Sequence, residues 1–217
     1  MASQKNSNIF FNIFSFLLKN VSSKIKAGSL KKLSDYLFIF IEKIIVKFPS
    51  ILSAYIIYYE DIVENEIHLA EITNHDMVLH IGCGSLPSTS LLIAKKAGTH
   101  TIGIDKNLPS VQDARYCVRA LHLENQIQIH HANALDYPMG SCNVIIVSQG
   151  IEPRYEVLTR IANTMQPGAR VLFRTFSSGK GDITSQDTIL SALFSIRKTV
   201  SHPQHGLLMS ILLKKKT

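Results

Sequence analysis

The sequence predicts an α/β fold, in which a mostly parallel sheet carries helices on both faces and is finished by an antiparallel hairpin. Three observations predict it. From about residue 75 onwards, short β-rich runs alternate with helical stretches, the pattern of consecutive βαβ units. The run VLHIGCGSLPSTS, residues 78–90, passes from an apolar strand through a glycine turn into a helix, a shape suited to a nucleoside-containing ligand. Two β-rich runs close the sequence, FSIRKTVSH and GLLMSILLK, with a turn around Pro203 to Gly206 between them.

Taken in order, periodicity and punctuation predict helices near 8–26, 30–48 and 51–72, broken by Gly28 and Pro49. Strands follow near 77–82, 100–104, 126–131, 143–148 and 169–175. Helices fit between them near 88–97, 108–122 and 153–165, the last stopping before Pro167 and Gly168. A further helix near 185–193 precedes the hairpin. In the first of these helices, Ser85, Ser88 and Thr89 are candidate capping residues. The domain division is a helical cap over residues 1–73 and a ligand-binding α/β domain over 74–217.

Ile9 to Leu18 (IFFNIFSFLL) is strongly apolar, but shorter than the roughly 20 residues of a spanning helix. No small-residue cleavage site follows it cleanly, so it does not read as a signal peptide. With the apolar face of LFIFIEKIIVKF, residues 37–48, it fits a packed helical cap better than a helix lying on a membrane surface.

Net charge is +7, unevenly placed. Residues 1–50 hold eight lysines against Asp35 and Glu42, a balance of +6, and the remainder carries only +1. A nucleic-acid substrate is therefore not expected, because phosphate-tracking surfaces are basic where the chemistry occurs. Cys83, Cys117 and Cys142 show no CxxC spacing, which predicts neither zinc site nor disulfide framework, and a reducing cytoplasm. His130 and His131 are neighbours on a strand and face opposite sides. With His75, His80, His202 and His205 forming no ligand motif, no metal is predicted.

The first turn holds Gly82 and Gly84 but not the third glycine of the dinucleotide fingerprint. A near-neutral site without that glycine suits S-adenosylmethionine (SAM), which has a sulfonium, an amine and a carboxylate but no phosphate. The parallel sheet with its terminal hairpin resembles the class I SAM-dependent methyltransferase fold. Ligands in open α/β sheets lie at the carboxyl ends of the strands, which selects the candidate SAM contacts. The loop supplies Gly82, Cys83, Gly84, Leu86 and Pro87. Beyond it come Asp105 and Lys106, then Asn133 and Ala134, then Ser148 and Gln149. Asp105 falls where this fold holds the ribose diol, and Asn133 and Ala134 where it contacts adenine.

Three segments resemble the nicotianamine synthase family, which uses this fold to move the 3-amino-3-carboxypropyl group of SAM. GCGSLPSTSLL is similar to its G-P-L-P-x-T pattern. YYEDIVENEIHLAEI is similar to its tyrosine helix ending in Asn-Glu, matching Tyr59, Asn65 and Glu66. IEPRYEVLTRIANTMQPGARVLFRTFSSG is similar to its Glu-Pro helix and Arg-Thr-aromatic strand, matching Glu152, Pro153, Arg174 and Thr175. The resemblance spans roughly residues 55–180. It departs from the family in the smaller N-terminal region, where the family's upstream catalytic glutamate has no match and Glu42 is the nearest glutamate.

The resemblance implies catalytic roles for Tyr59, Glu66 and Glu152, and a cofactor role for Arg174. Tyr59 can cover the sulfonium by a cation–π contact, orient an attacking amine, or stand as a half-buried tyrosine beside Tyr55 and Tyr58. Glu66 and Glu152 can grip the SAM ammonium or act as base, with a solvated Glu64/Glu66 helix face as the plainer reading. Arg174 can pair with the SAM carboxylate or with a neighbouring acid. The implied reaction is aminocarboxypropyl transfer to a small amine, or closure of the SAM arm on itself to azetidine-2-carboxylate, with release of methylthioadenosine. The alternatives are a small-molecule methyltransferase releasing S-adenosylhomocysteine, and a SAM-binding protein without turnover that is carried to membranes by its lysine-rich helices.

Overall fold

The computed structural model describes residues 55–176 and 188–216; the helices expected at 8–26 and 30–48 lie outside them. A helical turn at 55–58 leads into α1 (Glu60–Ala70). There follow β1 (Met77–Ile81), α2 (Ser88–Ala97), β2 (His100–Asp105), α3 (Leu108–Ala120), β3 (Ile127–His131), β4 (Val144–Val147) and α4 (Arg154–Thr164). Then come β5 (Arg170–Phe176), α5 (Thr188–Leu193), β6 (Phe194–Ser201), a 3₁₀ turn (Pro203–His205) and β7 (Leu208–Lys215). Apart from α1, which was expected over 51–72 and runs from Glu60 after a break at Tyr59, each lies within a few residues of its predicted span.

The seven strands form one sheet in the order β3-β2-β1-β4-β5-β7-β6. The first five are parallel, and β7 runs antiparallel between β5 and β6. The expected hairpin forms, but its second strand joins the body of the sheet and leaves β6 at the edge. Arg197, Lys198 and Thr199 are exposed there, and a register shift falls between Ile196 and Lys198, devices that discourage edge-to-edge pairing.

Strand alternation assigns each side chain to a face. Leu79, Ile81, Ile145, Val147, Val171, Phe173, Ile211 and Leu213 pack with Leu158 and Ile161 of α4 and Phe194. Val78, Val144, Ile146, Leu172 and Leu212 point the other way and pack with Val63 and Leu69 of α1 and Leu92 and Ile93 of α2. The strands are apolar on both sides because both faces are covered. Helix α1 buries Ile62, Val63, Glu66, Leu69 and Ala70, a helical stripe, and so shares a core with the sheet. Among the described residues, no helix is long and apolar enough to cross a membrane.

Two helix starts show how local chemistry sets the boundaries. Asn107 caps α3, its Oδ1 accepting from the Ser110 amide at 3.0 Å. The expected serine or threonine cap of α2 is not formed. Pro87 occupies the N-cap position with no side-chain cap bond, because the Leu86 carbonyl already accepts from the Ser88 amide at 2.8 Å. The Ser85 and Ser88 hydroxyls are left buried without a protein partner.

Candidate SAM site

The strand order reverses between β1 and β4, with α2 and α4 on opposite faces of the sheet, the position where open α/β sheets hold ligands at the carboxyl ends of their strands. At the head of β1, Gly82 and Gly84 adopt φ of +77° and +67°, values that cost any residue with a Cβ. A Cβ on Gly82 would also stand 2.3 Å from Ile151 Cδ1. The amides of Gly82 and Cys83 donate to the Ile104 carbonyl at 2.8 and 3.1 Å. The turn is thereby tied to β2.

Asp105 at the end of β2 holds the turn from below. Its Oδ2 accepts from the Gly84 amide at 3.0 Å and its Oδ1 from the Asn107 amide at 2.8 Å. Each oxygen keeps a second lone pair, so one carboxylate can fix the loop and still accept from a diol. Asn133, beyond β3, accepts from the Leu135 amide at 3.1 Å, an Asx turn around Ala134, which is buried. Lys106 Nζ donates to the Glu152 carbonyl at 3.0 Å, joining the loops after β2 and β4. Ser148 is half-buried and Gln149 exposed at the end of β4.

The alternation that places Val78, Leu172 and Leu212 against α1 and α2 places His80, Arg174 and Ser210 on the same face. They meet Glu66 and Thr89 there, all buried. Arg174 forms a two-pronged pair with Glu66, Nε to Oε1 at 2.8 Å and Nη2 to Oε2 at 2.7 Å. Nη2 also donates to Thr89 Oγ1 at 2.9 Å, and Ser210 Oγ donates to Glu66 Oε1 at 2.6 Å. Burial alone would raise the Glu66 pKa, but Arg174 and Ser210 outweigh it and hold the carboxyl below its ordinary range. The two residues expected to act separately on SAM are thus each other's partners.

Tyr59 packs against the rings of Tyr55 and Tyr58. Its hydroxyl accepts from that of Tyr55 at 3.4 Å, and both tyrosines contribute to the electrostatics of Arg174. Tyr58 stands edge-on to His205, ring centroids 4.3 Å apart, and His205 Nε2 lies 2.8 Å from Asp61 Oδ1. The β6–β7 turn is therefore docked on α1. Glu152 does not join this cluster: it is exposed, and its carboxylate accepts from the Arg154 amide at 3.3 Å.

His80 and His202, which form no ligand motif in the sequence, and Ser210, which nothing in the sequence marks, are buried and hydrogen-bonded. His80 was legible as the one charged or polar residue of the otherwise apolar strand MVLHI, since a buried polar group must be satisfied. Its Nδ1 lies 3.0 Å from Ser90 Oγ and its Nε2 2.8 Å from Ser148 Oγ, linking α2 to the end of β4. Burial, with Arg174 adding, pushes its pKa from 6.5 to about 3. The folded protein thus resists protonation that the unfolded chain accepts. Its contribution to stability is complete above about pH 6.5 and is lost as the pH falls towards 3, about 2 kcal/mol by pH 5. Glu66 contributes in the same direction only below its ordinary 4.5. Urea unfolding at pH 7 and pH 5 checks this: His80→Gln should lose about 2 kcal/mol less than the native chain over that interval, and parallel losses would refute the neutral His80.

The donor set fits SAM. A glycine cradle, a carboxylate at the end of β2, two unpartnered buried hydroxyls at the start of α2 and a buried pair of opposite charges match a nucleoside carrying a zwitterionic arm. Among the described residues, no cluster of histidine, cysteine or carboxylate side chains could hold a metal ion.

No protein-family model matches the chain. Over 120 residues it is 26% identical to the L-histidine 2-aminobutanoyltransferase of Pseudomonas aeruginosa, covering 55% of this chain and 46% of that protein. Over 74 residues it is 34% identical to the enzyme of the same name from Yersinia pestis, covering 34% of this chain and 28% of that protein. The chain thus spans half or less of the length of the curated relatives it matches. Among solved structures it is similar to MtNAS, a nicotianamine synthase, in complex with MTA and tNA, with a TM-score of 0.76 at 18% identity over 87% of this chain and 75% of that one. A MtNAS variant in complex with S-adenosylmethionine gives 0.74 at 17% identity, over 86% and 77%. The chain therefore has the class I SAM-dependent methyltransferase fold.

Proposed function

We propose that the protein is a SAM-dependent transferase that moves the 3-amino-3-carboxypropyl group to a small amine and releases methylthioadenosine. One observation carries the reading. The three segments that resemble nicotianamine synthase meet in a single buried cluster, through Glu66 from the tyrosine helix, Thr89 from the glycine-loop segment and Arg174 from the Arg-Thr strand. The names of the curated relatives support the same chemistry, with an amino acid amine as acceptor.

In this reading Asp105 accepts from the ribose diol, and Asn133 and Ala134 flank adenine. Gly82, Cys83, Gly84, Leu86 and Pro87 shape the loop, and Ser148 and Gln149 border the crevice. The arm of SAM carries one charge of each sign, and the Glu66–Arg174 pair presents its complement, with Arg174 towards the carboxylate and Glu66 towards the ammonium. A carboxyl held below its ordinary range suits charge pairing better than proton abstraction. Tyr59 faces the sulfonium, worth about 1–2 kcal/mol as a desolvated cation–π contact. The acceptor nitrogen attacks Cγ, the Cγ–sulfur bond breaks with its electron pair on sulfur, and the new ammonium loses one proton. Holding the nucleophile in line with Cγ rather than with the methyl carbon selects this outcome.

The protein acts in the cytoplasm on small molecules in this proposal, with residues 1–73 as its helical cap. Mass spectrometry of the nucleoside formed from SAM with and without histidine is the test. Methylthioadenosine that requires histidine is the expected result. Methylthioadenosine from SAM alone would identify closure to azetidine-2-carboxylate, and S-adenosylhomocysteine would make the protein a methyltransferase and end the aminocarboxypropyl reading.

A further inference from the structure

The β6–β7 hairpin reaches the Glu66–Arg174 pair through a chain of buried hydrogen bonds. His202, at the foot of the 3₁₀ turn, lies with Nε2 3.0 Å from Ser210 Oγ, and Ser210 Oγ lies 2.6 Å from Glu66 Oε1. All three side chains are at most 1% exposed. The register of the sheet brings them together, since Ser210 pairs with Arg174 on β5 and with Val200 on β6.

The direction of these bonds follows from proton counting. Glu66 accepts two bonds from Arg174 and is held ionised, so it has no proton to give. Ser210 must therefore donate its one hydroxyl proton to Glu66. The serine oxygen then faces His202 as an acceptor, and Nε2 must carry the proton. The other nitrogen, Nδ1, is buried without a protein partner, consistent with an unprotonated nitrogen that has no proton to place. Were the proton on Nδ1, Ser210 would turn to donate to Nε2. Glu66 would then lose its third donor, and the guanidinium it orients would lose its anchor.

We propose that His202 is a positioning residue for the amino acid arm of SAM, acting through Ser210 and Glu66 to fix the Arg174 guanidinium. The assignment rests on the proposed placement of that arm. Removing the donor loosens a group that meets SAM directly, so SAM binding weakens while the rest of the crevice is intact. Volume and hydrogen bonding are separable at this position: Phe fills the space without donating, and Gln donates through its amide.

The test is SAM affinity by calorimetry for His202→Ala, His202→Phe and His202→Gln beside the native chain, with melting temperatures recorded. Loss of one oriented hydrogen bond should raise Kd about tenfold in the Ala and Phe variants, and His202→Gln should stay within about threefold of native. Native affinity in His202→Phe, or weak binding in His202→Gln at an unchanged melting temperature, would overturn the proposal. If the His202 variants do not fold, Ser210→Ala takes their place, with the same tenfold rise expected and unchanged Kd again decisive against it. The nucleoside released by the native chain judges the transfer reading separately, because the affinity ratios do not depend on which carbon is attacked.

Discussion

Replacing Arg174 by methionine should destabilise the protein by about 3–5 kcal/mol, measured by urea unfolding at pH 7. The reason is the abandoned partner rather than the lost attraction. Glu66 is fully buried and loses two guanidinium bonds, with the charge that keeps the carboxyl ionised, if Arg174 goes. Only the Ser210 donor remains. The carboxyl then takes up a proton or draws in water, and either change costs several kcal/mol. The double variant Glu66→Met, Arg174→Met should recover most of this stability, because two apolar side chains can occupy the same space without a charge to compensate. It should bind SAM poorly all the same. A single Arg174→Met variant as stable as the native chain would show that the pair is not the buried unit described above.

Replacing Asp105 by alanine should weaken SAM binding by about 10–100-fold by calorimetry, the loss of one or two hydrogen bonds to a charged acceptor. The change acts twice. It removes the acceptor proposed for the ribose diol, and it frees the Gly84 amide that the carboxylate holds at 3.0 Å. Stability should fall much less than affinity, because Gly84 is half-buried and Asn107 exposed, so their amides can turn to water. A melting temperature within a few degrees of native together with a 10–100-fold rise in Kd is the expected combination. Undiminished affinity would remove Asp105 from the site.

The fold was legible because its signals are local. Alternating β-rich and helical segments and Pro167–Gly168 after α4 act within a few residues of where they occur. The glycine turn and Asp105 were legible for the same reason: a strand that ends in GxG must bend sharply, and a carboxylate at the end of the next strand lies beside it. The cap of α2 was misread. Ser85, Ser88 and Thr89 have capping side chains, but the local turn closed on the Leu86 carbonyl, and Thr89 was taken by Arg174, which lies 85 residues away.

The chain by itself determined the class of fold, the order of its elements, the crevice at the strand ends and the absence of a third glycine that favours SAM over a dinucleotide. Tertiary structure decided the order of the last two strands and the partnership of Glu66 with Arg174. It also decided the entry of His202 and Ser210 into the network of that pair, and the bonding of His80 to Ser90 and Ser148. The physical reason is range. Helix and strand periodicity is set by neighbours a few positions apart, whereas the charge state of a buried side chain is set by whichever groups the sheet brings against it. Here those groups come from α1, α2, β5 and β7. Residues 66 and 174 are 108 positions apart, and nothing local to either one specifies the other.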